Sequence, residues 1–265
     1  MMTRVAITRC FVTALLLAGL GILAQAGPAG ALELSVSPIK VSLAPNQKSA
    51  IIRVGNPNTE PLTVQVTIFT WSQDANGIDK LDPAPDLLAF PQMLQIKPGI
   101  ERNIRVGTTN PDRTSERTYR IILEPVLMRK SANGEGGTSR GAASTIITRS
   151  SVPVFVEPTK SVPTPIKAAA RVEQGTLALQ ISNSGLIHVP PPAVALKGYS
   201  ANDELLFEQD THGWYVLAGS VRTDRFRLPA EHCEKLQRLA VQVSNGQQTE
   251  TLTVPVPPES CQRQP

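Results

Sequence analysis

Leu62-Thr63-Val64-Gln65-Val66-Thr67-Ile68-Phe69-Thr70-Trp71 is the stretch that decides the fold. Leu62, Val64, Val66, Ile68 and Thr70 alternate with polar Thr63, Gln65 and Thr67. A period of two sends successive side chains to opposite faces, so this is a strand with one face in a core and one toward water. Trp71 closes the run. Outward from it the same period recurs. Upstream, Leu34, Val36, Val41 and Leu43 mark a first strand interrupted at Pro38, and Ile51, Ile52 and Val54 mark a second that ends at the Asn56-Pro57-Asn58 turn.

Downstream, a looser segment runs through Asp74-Ala75-Asn76-Gly77 and Pro83-Ala84-Pro85. Leu94 and Ile96 then precede the Lys97-Pro98-Gly99 turn, Ile104 and Val106 flank Arg105, and Thr118 to Leu123 reads as a strand. The Gly- and Ser-rich residues 131–143 read as a mobile loop, after which Ile146 to Val156 returns to strand. Some seven short strands without a helical period indicate an immunoglobulin-like sandwich.

The prolines of Glu157-Pro158-Thr159-Lys160-Ser161-Val162-Pro163 stiffen a linker. Beyond it the β pattern repeats: Leu177, Leu179 and Ile181; Val194 and Leu196; Trp214 to Leu217; Phe226 to Leu228; Leu239 to Val243; Leu252 to Val256. This is a second sandwich, with Ala230 to Leu236 its helix candidate. The expected organisation is 1–31 signal peptide, 32–158 N-terminal domain and 159–265 C-terminal domain, an all-β chain.

The signal peptide rests on basic Arg4 and Arg9, an apolar stretch from Phe11 to Ala24, and Ala29-Gly30-Ala31, which fits the A-x-A cleavage rule, with Ala24-Gln25-Ala26 second. The apolar stretch is short for a membrane span, which needs ~20 residues. Loss of Arg4 and Arg9 takes the formal charge from +4 to +2. Basic residues are spread along the chain rather than clustered, so no nucleic-acid partner is expected. Cys233 and Cys261 survive cleavage and are expected to form a disulfide, as an even pair in an exported chain usually does. Only His232 of the three histidines lies near a cysteine, so no metal is expected. Enzyme signatures are missing: Gly134-Glu135-Gly136-Gly137 lacks the Lys-Ser/Thr ending of a P-loop, and no Gly-x-Ser-x-Gly or His-Glu-x-x-His occurs. No enzyme, cofactor or small-molecule substrate is expected.

Several stretches together resemble the periplasmic pilus-assembly chaperones of the chaperone-usher pathway, and in particular their archaic, alternative branch. They are Leu34 to Leu43, Glu60 to Val66 leading to Phe69-Thr70-Trp71, Pro98-Gly99 before Ile104-Arg105-Val106, Arg117 to Glu124, and Val152-Pro153-Val154-Phe155-Val156. The resemblance covers the mature N-terminal domain. It implies two immunoglobulin-like β-sandwich domains in a boomerang arrangement, with pilus subunits and an outer-membrane usher as partners. It also implies that an edge strand is lent to a subunit whose own sandwich lacks one, covering its apolar groove. A structural or adhesive surface component is the alternative.

Carried onto this chain, the donor strand is Ser144 to Val152, with Ser144, Ile146, Thr148, Ser150 and Val152 on its lending face. Only Ile146 and Val152 there are strongly apolar, where the family usually carries larger aliphatic residues. The family's carboxylate anchor for the subunit's last residue falls on Arg120 and Arg149, with Lys40 third. Arginine suits the task because its planar fork makes two parallel hydrogen bonds to a carboxylate.

Overall fold

The computed structural model describes residues 31–74, 76–126, 146–160 and 163–261. All but the last residue of the expected signal peptide, the Gly- and Ser-rich stretch 131–143 and Ser144 therefore lie outside the described residues. In chain order the first half carries β1 (Ala31–Leu32), β2 (Ser35–Ser37), β3 (Val41–Leu43), β4 (Ser49–Gly55), β5 (Leu62–Gln73) and β6 (Asp79–Pro83). It continues with β7 (Leu87–Phe90), β8 (Met93–Ile96), β9 (Glu101–Thr108), β10 (Arg117–Val126), β11 (Ile146–Ile147) and β12 (Ser150–Val156). The second half carries β13 (Ile166–Glu173), β14 (Thr176–Asn183), β15 (Ala193–Tyr199), β16 (Leu205–His212), β17 (Val221–Arg227), the short helix α1 (Ala230–Cys233), β18 (Arg238–Ser244) and β19 (Thr249–Pro255).

Strands β1 and β11 form a small parallel pair by themselves, Ala31 opposite Ile146 and Leu32 opposite Ile147. The two sandwiches together make up a separate compact unit. In the first sandwich one sheet runs β2-β4-β9-β7 and the other β3-β12-β10-β5-β6, with β8 also paired to β5. The interruption read at Pro38 is a change of sheet: β2 pairs antiparallel with β4, and β3 pairs parallel with β12. Ile52, Val54, Ile104 and Val106 from one sheet meet Val64, Ile121, Leu123 and Val154 from the other, all fully buried. Each such side chain contributes roughly 1.5–3 kcal/mol through burial.

The second sandwich packs β13-β14-β17 on β16-β15-β18-β19. Leu177, Leu179 and Ile181 face Leu196, Val241 and Val243 in its core.

Three local readings differ from the sequence pattern. The looser segment after Trp71 is strand β6 and then β7; Pro83 is tolerated because β6 is the edge of its sheet, where a missing N–H breaks no ladder. Trp214 to Leu217 is no strand: only Val216 makes an isolated bridge, to Val189, and Tyr215 and Leu217 pack instead with Trp71 and Phe155 of the first sandwich. The helix stops at Cys233, short of Leu236.

Cys233 and Cys261 are disulfide-bonded, tying the 3-10 turn Pro258–Cys261 after β19 back to α1. The bridge closes a loop of moderate length, so its removal is expected to cost about 2–4 kcal/mol. Thermal melting checks this: reductant should lower the Tm of the native chain and leave the Tm of a Cys233→Ala/Cys261→Ala double variant, already lower, where it is.

Candidate functional site

The feature that sets the first sandwich apart from a closed one is the outer side of β12. Its inner side is paired along its whole length to β10, from Ser150 opposite Leu123 to Val156 opposite Arg117. On the other side β3 covers only Val154, Phe155 and Val156. The Glu157 N–H donates to the Leu43 carbonyl at 3.0 Å, so odd-numbered residues carry their backbone groups toward this side. Ser151, exposed at the surface, therefore presents an N–H and a C=O beyond the end of β3, with no strand beside it among the described residues. Pro153, next along that side, has no N–H to leave unpaired. Beside this edge lies a cleft of about 340 Å³ lined by Leu34, Val36, Ile39, Ser150, Ser151 and Val152. Ile39 is 79% exposed at its mouth. An unpaired edge next to an apolar cleft is the local chemistry that accepts an added strand.

Arg120 lies one strand inward, its Cα opposite Pro153. The alternation of β10 sends Tyr119 and Ile121 into the core and Arg120 to the outer face, where it is nevertheless only 7% exposed. Its guanidinium carbon stands 3.7 Å from the Trp71 ring centre, 5.6 Å from Trp214 and 5.9 Å from Tyr215, all within cation–π range. It makes no hydrogen bond or ion pair with any described residue. Burial pushes its pKa below the ordinary arginine value, with Asp79 and the Tyr215 hydroxyl acting weakly the other way. The result is a nearly buried cation held by aromatic faces with its N–H donors unused.

The other residues read from the sequence are distributed differently. Arg149 is exposed, outside any strand, and 3.9 Å from Glu124. Lys40 is exposed between β2 and β3. The stretch expected as one donor strand is two: Ile146 lies in β11, Thr148 and Arg149 interrupt, and Ser150 opens β12. Val152 faces the sandwich's own core at 2% exposure, and Ser150 is half-buried.

The chain matches the family described as pili and flagellar-assembly chaperone, PapD N-terminal domain, over residues 33–161. The match spans the whole of the first sandwich and stops short of the second. No curated protein sequence matches it. Two similar solved structures agree in fold. One is the chaperone–tip adhesion subunit pre-assembly complex CsuC–CsuE, from archaic chaperone-usher Csu pili of Acinetobacter baumannii, with 18% identity, a TM-score of 0.52, and 84% of this chain covering 98% of that one. The other is the YadV chaperone, with 15% identity, a TM-score of 0.53, and 84% of this chain covering all of that one (100%). At such identities the likeness is one of fold.

The outer face of the six-stranded sheet is also where the second sandwich docks. The Gln73 side chain donates to the Tyr215 carbonyl at 2.8 Å and accepts from the Leu217 N–H at 3.0 Å, in the manner of one more strand residue. The turn at Asp74 to Gly77 reaches β17, where Arg222 donates to the Gly77 carbonyl at 2.7 Å. A Cβ at position 77 would come within 2.6 Å of the Arg222 backbone, and φ is +76°, so only glycine fits there. His188 stacks on Phe155 with ring centres 3.6 Å apart, and its N–H and Nδ1 both meet the buried Glu116 carboxylate, at 2.7 and 2.9 Å. None of Gln73, Glu116, His188 or Arg222 carries a local sequence signal, because each is defined by a partner more than 70 residues away.

Glu116 makes the sharpest test of this junction. Glu116→Ala leaves the His188 backbone N–H unpaired in a part-buried site, a loss on the order of 1–2 kcal/mol. Urea unfolding should show the midpoint falling accordingly, and a variant as stable as the native chain would contradict the assignment.

Proposed function

We propose that the chain is a periplasmic chaperone that binds pilus subunits by donor-strand complementation and delivers them to an outer-membrane usher, with no catalytic role. The observation that carries this reading is the juxtaposition of a strand edge at Ser151 and a nearly buried cation one strand inward, both unpaired among the described residues, with an apolar cleft beside the edge. A subunit strand added along β12 would hydrogen-bond to Ser151 and set an apolar side chain against Leu34, Val36 and Ile39. The face Ser144, Ile146, Thr148, Ser150 and Val152 is the lending face, with Ile146 its strongest apolar contribution, since Val152 serves the chaperone's own core.

The subunit's terminal carboxylate would answer the Arg120 charge. A buried cation without a partner is costly, and a carboxylate removes that cost while filling the N–H fork. Arg149 and Lys40, both exposed, are secondary contributors that draw the carboxylate in. In this reading the signal peptide is 1–31, the donor-bearing domain 32–158 and the second sandwich 159–265.

The test is co-purification of a co-expressed pilus subunit with variants of the exported chain, whose N-terminus should read Leu32. Ile146→Asp puts a charge into an apolar groove and Ser151→Pro removes the edge N–H; each should cut capture at least tenfold, with circular dichroism unchanged. Arg120→Ala should weaken capture by a similar factor. Undiminished capture by folded Ile146→Asp and Ser151→Pro would end the strand-lending assignment, and undiminished capture by folded Arg120→Ala and Arg149→Ala would move the anchor to Lys40 or remove it.

A further inference from the structure

We propose that Trp214 and Tyr215 of the second sandwich are positioning residues for Arg120, so that the carboxylate site is assembled jointly by both sandwiches; this rests on the reading of Arg120 as the anchor. Every other part of that reading sits on the first sandwich. The cage around the guanidinium does not: Trp71 comes from β5, whereas Trp214 and Tyr215 lie between β16 and β17.

An arginine side chain has several free torsions, and a site that receives a planar carboxylate needs its fork held in one plane. An acid can hold an arginine in one place. Arg117 and Arg222 are both fixed that way here, to Asp86 and Asp224 at 2.9 Å each, and their donors are consumed in the process. Aromatic faces hold a guanidinium through its charge and its flat surface without taking up any of its five N–H donors. The cage therefore fixes Arg120 in place while leaving the fork for an incoming carboxylate.

The cage walls are themselves fixed. Trp214 is 41% exposed, yet its indole N–H donates to Asp79 at 3.2 Å and its backbone N–H to Asp224 at 3.1 Å. The Tyr215 ring meets Trp71 edge-on with centres 5.5 Å apart, and its carbonyl is held by Gln73. Asp79 lies near enough to favour the Arg120 charge, but it is engaged with Trp214, Gln73 and Arg222 rather than hydrogen-bonded to Arg120. Trp71 and Trp214 are the two tryptophans of the whole chain, so the intrinsic fluorescence of the protein reports this site directly.

The experiment titrates the full mature chain with a synthetic octapeptide of alternating threonine and valine, as the free acid and as the C-terminal amide, following tryptophan fluorescence. The quantity read is the ratio of the two Kd values. The native chain should prefer the acid tenfold or more, and Arg120→Ala should bring the ratio near one. Trp214→Ala and Tyr215→Leu should reduce it below threefold while leaving the amide's Kd unchanged, and the aromatic replacements Trp214→Phe and Tyr215→Phe should restore it. A merely structural role would move both peptides together. If Arg120→Ala abolishes the preference but Trp214→Ala and Tyr215→Leu keep it, the positioning role is overturned and the anchor stands. If the native chain shows no preference, or binds neither peptide, the anchor itself fails and the positioning role with it.

Discussion

The stacking of aromatic rings on the outer face of the β3-β12-β10-β5-β6 sheet does two things that are hard to separate. Trp71 and Phe155 present that face, and Tyr215, Leu217 and His188 of the second sandwich pack on it, so the two sandwiches share a small apolar core of their own. Trp71 and Tyr215, together with Trp214, surround a guanidinium that no described acid neutralises. A cation in such a position lowers stability unless something answers its charge, and the surrounding hydrogen bonds of Gln73, Arg222 and Glu116 hold the structure together around it. Local strain of this kind is characteristic of binding sites, where a favourable partner is supplied by the ligand rather than by the fold.

The edge of β12 follows the same logic. Sheets in soluble proteins usually pair, cover or charge their edges, because free N–H and C=O groups recruit other strands. Here the crossing of the first strand from one sheet to the other leaves β3 too short to cover Ser151, and Pro153 ends the exposed stretch by removing the next donor. The uncovered piece is short, exposed and next to a cleft lined by Leu34, Val36 and Ile39. A segment this brief limits unwanted pairing, and under the proposed function it stays usable by a partner whose terminal carboxylate would meet Arg120.

The strands were legible in the sequence wherever one face was buried and the other wet, as in β5, β10 and β14, because alternation is a local property. The interruption at Pro38 was visible, but its meaning was not: nothing in Leu34 to Leu43 says that the two halves join different sheets. The edge strands β6 and β16 escaped notice because their burial is slight and their composition polar. Arg120 was named through the family resemblance, and Trp214 and Tyr215 as part of a strand in the second half. Their meeting was not legible, since it depends on how β5, β10 and the loop before β17 come together. Tyr215, read as part of a strand of the second sandwich, packs instead against Trp71 and Phe155 of the first.

Under the proposed function, the uncovered edge at Ser151 is the surface that a pilus subunit's strand would occupy. Amide hydrogen exchange of the free chain and of its complex with a co-purified subunit tests this at one backbone group. The Ser151 N–H should exchange rapidly in the free chain, while that of Val152, on the β10 side of the same strand, is protected; in the complex Ser151 should slow by at least tenfold. Rapid exchange at Ser151 in a stable complex would mean that the subunit binds elsewhere on the chain.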